Sequence, residues 1–99
     1  MSFDPVDHAR QEIVPLLNDV VSVTAQEQHP EQEAFFRSIR DGIERSKEAE
    51  DLADPMMQLS MSAFMGFEYS NVVAILIDRV LVHAQLLTQS LALSPDELN

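Results

Sequence analysis

Four X-Pro steps divide the chain: Asp4-Pro5, His29-Pro30, Asp54-Pro55 and Ser94-Pro95. Proline suits the first position of a helix, where its missing N–H would have no partner anyway. It also disfavours helical geometry in the residue before it. Asp and Ser just ahead of such a proline make good N-caps, because their side-chain oxygens accept from the orphan backbone N–H groups. The steps therefore predict three main helices starting near Pro5, Pro30 and Pro55, with a last turn at Ser94-Pro95-Asp96-Glu97. Only two glycines occur, and Ala, Leu, Glu and Gln are plentiful, so the intervening segments lean helical. The expected fold is all-α: an antiparallel helical bundle of three main helices, in one domain spanning residues 1–99.

The first helix is expected over Pro5 to Gln28. Val6, Ala9, Ile13, Leu16, Val20 and Val23 form its apolar seam at spacings of three and four. Pro15 removes one backbone hydrogen bond and crowds the preceding turn, which predicts a kink near Gln11–Pro15 without a break. The second helix is expected over Pro30 to Ala53, with a thinner stripe of Phe35 or Phe36, Ile39, Ile43, Ala49 and Leu52. Glu33–Arg37, Asp41–Arg45 and Lys47–Asp51 stand four apart and can pair across a turn. Glu48, Glu50 and Asp51 crowd the expected C-terminal end, where they oppose the helix dipole.

From Pro55 to Leu93 no further proline intervenes. A continuous helix there would be about 58 Å long, against about 36 Å for each of the other two. It would overhang them, so it must bend or be covered by a second chain. Gly66 and Ser70-Asn71 are the weak points, Ser70 or Asn71 serving as a new cap, and a bend is expected rather than a loop. Val73, Leu76, Val80, Ala84, Leu87 and Leu91 form one apolar face of the distal part, and Ile75, Val82 and Leu86 form another row. A helix apolar on more than one face needs cover on more than one face. Its neighbours offer one stripe each. A homo-oligomer, most simply a two-fold dimer, is therefore expected, with Val73, Leu76, Val80, Leu87 and Leu91 at its interface.

The stretch Met56–Phe67, MMQLSMSAFMGF, holds four of the five methionines. Met57, Met61 and Met65 stand four apart and share a helix face. Thioethers bind soft Cu(I), but Met and Phe more commonly fill irregular apolar contacts, so core or dimer packing is expected here. If any part of the chain receives another partner or ligand, it is Met57, Met61, Phe64, Met65 and Phe67. Asp4, His8 and Glu12 also share a face and are read as solvated. No Glu precedes any histidine by three residues, so the di-iron bundle motif is missing. No phosphate loop, nucleophile motif or basic stripe with aromatics occurs, so neither catalysis nor a cofactor has support in the sequence. Glu68, Tyr69, Asp78 and Arg79 lie in the most apolar region, and ion pairing of Arg79 with Glu68 or Asp78, within the chain or across a dimer interface, is expected.

Seventeen acids against six Lys and Arg give a formal charge of −11. Such a surface repels nucleic-acid phosphate and anionic lipid, and it favours solubility. Asp78, Arg79 and His83 interrupt the longest apolar stretch, which argues against a membrane span. The N-terminus has no apolar run of the secretory type, and a cytoplasmic location is expected. The chain is accordingly read as a small acidic helical protein acting by protein–protein contact, as an adaptor, regulator or accessory subunit. Its partner would be a second copy or a protein with a basic or apolar surface. The alternatives are a bundle that binds a small ligand or metal, and an acidic mimic of nucleic acid.

Overall fold

The computed structural model describes residues 4–62 and 65–92, and these form helices with no strand among them. Helix α1 spans Pro5–His8, and a π-helical turn, Ala9–Ile13, joins it without interruption to α2, Val14–Gln26. Helix α3 spans Pro30–Arg45. A 3-10 turn, Ala49–Leu52, leads into α4, Ala53–Met61, and α5 spans Asn71–Ala92. The expected third helix is therefore two helices, α4 and α5, and with the α1–α2 rod and α3 they make four among the described residues. Helix α2 packs against α3 and α5, and α4 packs against α3 and α5 in turn.

The first rod starts as expected. Asp4 Oδ1 accepts from the Val6 N–H at 3.0 Å, with Pro5 at the first helical position. Pro15 produces a π turn in the rod. In that turn the Val14 N–H donates to the Ala9 carbonyl, five residues back. Each π turn holds one residue more than an α turn. The apolar seam consequently steps by one. Val6, Ala9, Ile13 and Val20 are buried as expected, but beyond the turn Leu17 and Thr24 take the places expected for Leu16 and Val23, which are only half-buried. The buried Thr24 hydroxyl is satisfied within the helix, donating to the Val20 carbonyl at 2.8 Å.

Helix α2 ends in a Schellman arrangement. His29 N–H donates to the Thr24 carbonyl at 2.9 Å and Gln28 N–H to the Ala25 carbonyl at 3.1 Å. This requires Gln28 to adopt φ +62°, the left-handed region usually given to glycine. Phe36, Ile39 and Ile43 of α3 are fully buried against α2, and Gln32 extends the same row toward the N-terminus.

Helix α3 stops at Arg45, not at Ala53. Ser46 is extended, and its hydroxyl donates back to the Gly42 carbonyl at 2.9 Å. Arg10 of the π turn caps this end, donating to the Glu44 carbonyl at 3.2 Å and to the Ser46 carbonyl. A cation among C-terminal carbonyls is favoured by the helix dipole. Glu48 and Asp51 form a reciprocal capping box at the start of the next helical run. The three acids therefore sit at a helix N-terminus, where the dipole stabilises them. Two of the expected pairings change with this boundary. Asp51 accepts from the Lys47 and Glu48 backbone N–H groups, and Asp41 pairs with Arg40 at 3.0 Å instead of with Arg45. The Glu33–Arg37 pair forms as expected.

Candidate functional site

Two surfaces carry the residues singled out in the sequence. The first is α4 with the segment after it. Leu52, Met56, Leu59 and Ser62 are buried, so α4 turns one narrow row inward and Met57 and Met61 fall on the opposite side. Met57 is 60% exposed, Met61 50% and Met65 43%, so of the two expected placements, core or dimer packing, these methionines do not take the protomer core. The cause is competition between two four-residue rows on one short helix. The row with Leu52 and Leu59 is taken by the core, and Met57 and Met61 lie across from it. Phe64 lies outside the described residues.

Phe67 behaves differently. It is half-buried and closes a ring of four aromatic side chains with Phe35, Phe36 and Tyr69, with centroid separations of 5.0–6.0 Å. Such edge-to-face contacts each contribute about 0.5–1.5 kcal/mol beyond burial. The segment is also tied by hydrogen bonds. Tyr69 Oη donates to the Ser62 carbonyl at 2.9 Å, and Gln32 Nε2 donates to the Glu68 carbonyl at 3.0 Å. Burial pushes the Tyr69 phenol above its ordinary pKa. Gly66 turns the chain with φ +76°, and a Cβ there would meet open space, so glycine is needed for the backbone and not for room. The sequence predicts a bend rather than a loop near Gly66–Asn71; the structure instead has a non-helical segment over residues 65–70, because Gly66 turns the chain and the aromatic ring and hydrogen bonds pin it. Ser70 Oγ accepts from the Val73 N–H at 3.3 Å and starts α5, as expected for a new cap.

The second surface is α5. Val73, Ile77, Val80, Ala84 and Leu87 are buried within the protomer. Of the residues expected at a dimer interface, Val73, Val80 and Leu87 thus face the protomer's own core, and Leu76 is half-buried beside it. The side chain of Leu91 lies outside what the structure describes. The row left at the surface is Val72 (54% exposed), Ile75 (56%), Val82 (56%) and Leu86 (53%). Arg79 continues that row at its middle. Asp78 and Arg79 are both exposed, and neither enters an ion pair among the described residues. By length and composition alone α5 could cross a membrane, over Asn71–Ser90.

A groove of about 400 Å³ adjoins this row where α5 meets the π turn and α2. Gln11, Glu12, Pro15 and Leu16 form one wall, and Arg79, Val82 and His83 form the other. Leu16 reaches this rim because the π turn moved it off the core seam. His83 packs against His8 of α1, ring centroids 5.4 Å apart. Among the described residues no three His, Asp or Glu side chains converge to hold a metal ion. Periodicity found three members of the α5 row, Ile75, Val82 and Leu86, but it could not say which of the two α5 faces the core would claim. Comparison with protein-family models, curated proteins and solved structures finds no match for this chain.

Proposed function

We propose that this protein acts by protein–protein contact and that it self-associates through the outward row of α5. The observation that carries the reading is that row: four large aliphatic side chains, each more than half exposed, in one line on a helix whose other side is core. They offer on the order of 400 Å² of apolar surface, about half of the roughly 800 Å² that each partner gives a stable interface. Pro15 and Leu16 at the groove rim extend it. The exposed methionines of α4 supply a second apolar surface, suited to an adaptable partner because thioethers repack easily. Asp78 and Arg79, exposed at the middle of α5, support an aqueous setting for that face in preference to a bilayer.

Sedimentation equilibrium across the micromolar range tests the self-association. A species of twice 11.1 kDa that dissociates on dilution is expected, and Val82→Asp with Leu86→Asp shifts it to monomer while the helical signal stays intact. A purely monomeric parent chain at all concentrations rejects the reading.

A further inference from the structure

The row on α5 repeats with the spacing of a coiled-coil seam, three then four residues: Val72, Ile75, Arg79, Val82, Leu86 and Gln89. The charges beside it carry orientation. We infer that α5 pairs with α5 of a second copy in parallel and in register, with Asp78 of each copy meeting Arg79 and His83 of the other. This rests on the self-association proposed above and adds its geometry.

The occupant follows from charge. The chain carries −11 overall, yet between Asn71 and Ala92 the only formally charged residues are Asp78 and Arg79, which cancel. Sixteen of the seventeen acids lie elsewhere. The outward face of α5 is therefore a neutral strip on an acidic molecule. A basic partner would be drawn to the rest of the surface. A second copy meets this strip with no net charge on either side, matches its apolar row residue for residue, and sets Arg79 against Arg79 at the centre.

The orientation follows from the same two charges. In heptad terms Val72, Arg79 and Leu86 are a positions, and Ile75, Val82 and Gln89 are d positions. Asp78 and Gln85 fall at g, and Leu76 and His83 at e. In a parallel pair the g flank of one helix lies along the e flank of the other, and charged flanks set orientation. Asp78 then meets the second copy's His83, and the second copy's Asp78 lies beside Arg79. An antiparallel pair sets g against g, so Asp78 would face Gln85 and Asp78 of the copy while Arg79 stayed on the other flank. Only the parallel pair brings opposite charges together. Arg79 at a central a position costs stability and fixes the register, a role documented for polar residues at that place. Both residues are exposed and make no ion pair among the described residues.

The chain has no cysteine, so introduced thiols report cleanly. In the parallel pair Ile75 faces its own copy, and Ile75→Cys alone forms a disulfide-linked dimer on mild oxidation. Thr88→Cys, on the flank away from the seam, does not. In an antiparallel pair two copies of residue 75 would stand about 16 Å apart along the axis, beyond the roughly 7 Å between Cα atoms that a disulfide spans. Ile75→Cys mixed with Leu86→Cys would link instead. A charge exchange gives a second readout. Asp78→Lys weakens the dimer by about tenfold or more through like-charge contact, and Asp78→Lys with Arg79→Glu restores it. Self-linking at residue 75 together with rescue by the double exchange supports the proposal. Mixed linking alone, or a dimer that links at neither position, overturns the parallel pairing and leaves self-association standing. A parent chain that stays monomeric overturns both.

Discussion

Gln28 holds the turn between α2 and α3 at a conformational cost that glycine would remove. Its φ of +62° brings Cβ close to its own carbonyl oxygen, which costs an L-residue about 1–2 kcal/mol. Glycine has no such contact, but its looser unfolded chain returns about 0.4–1 kcal/mol of the gain. The two Schellman bonds, from Gln28 and His29 N–H to the Ala25 and Thr24 carbonyls, use backbone atoms only and survive substitution of Gln28 by glycine or alanine. The Gln28 side chain is exposed and makes no hydrogen bond among the described residues. Gln28→Gly should therefore stabilise the fold by about 0.5–1 kcal/mol, raising Tm by roughly 2–8 °C for a domain of this size. Gln28→Ala keeps the Cβ and should leave stability within about 0.5 kcal/mol of the parent. Urea denaturation followed by circular dichroism, at one fixed protein concentration, measures both. A glycine variant no more stable than the parent, or an alanine variant equally stabilised, would show that the left-handed turn carries no strain.

The two faces of α5 should separate by dilution. Leu87→Ala empties a fully buried site and should cost about 2–5 kcal/mol at every concentration. Leu86→Ala, one residue earlier and outward, should instead remove the concentration dependence of Tm; equal effects of the two would refute the division. At the start of α4, hydrogen bonds from the Lys47 and Glu48 backbone N–H groups hold the Asp51 carboxyl below its ordinary 3.8, while a hydrogen bond and repulsion from Glu50, with repulsion from Asp51, lift Glu48 above its ordinary 4.5. Side-chain NMR titration should show that order. The depressed Asp51 value means that its contribution is present above about pH 4 and is lost as the solution is acidified through its folded value. Changing Met57, Met61 and Met65 singly to Leu should shift stability by no more than about 0.5 kcal/mol, as for surface sites. A loss of about 2 kcal/mol or more in thermal or urea unfolding would mean that the stripe is packed after all.

Where a local signal had a local cause, the sequence was legible. Asp4-Pro5 and Ser70 cap helices because capping depends on a side chain and the backbone two or three residues on. The Phe36, Ile39 and Ile43 row is buried because α3 is regular. The misses come from places where uniform helical rotation fails or where faces compete. Leu16 and Val23 were expected in the core on a constant angular step, and the π turn before Pro15 moves that step by one residue to Leu17 and Thr24. The three acids Glu48, Glu50 and Asp51 read as a poor helix end because nothing nearby marks the stop. The stop is made from a distance, by Arg10 on the α3 carbonyls. For α5 the spacing named most of both apolar rows, missing Ile77 on the inner one and Val72 on the outer one; for α4 it named the methionine row and not the buried Met56 and Leu59. It could not choose among them, since that choice depends on which neighbours lie alongside.

The rod of α1 and α2 is synthesised well before the helix that covers one of its sides. His8 finds His83 across nearly the whole chain. On a translating ribosome, α2 and α3 have everything they need to dock on each other once Arg45 is free, and helical pairs of this kind dock in microseconds to milliseconds. The residues from Ser46 to Ala92 take on the order of a few seconds longer to synthesise. Throughout that interval the side of the rod destined for α5 is bare apolar surface. Slower chain growth while α5 is awaited should therefore lower the yield of folded protein.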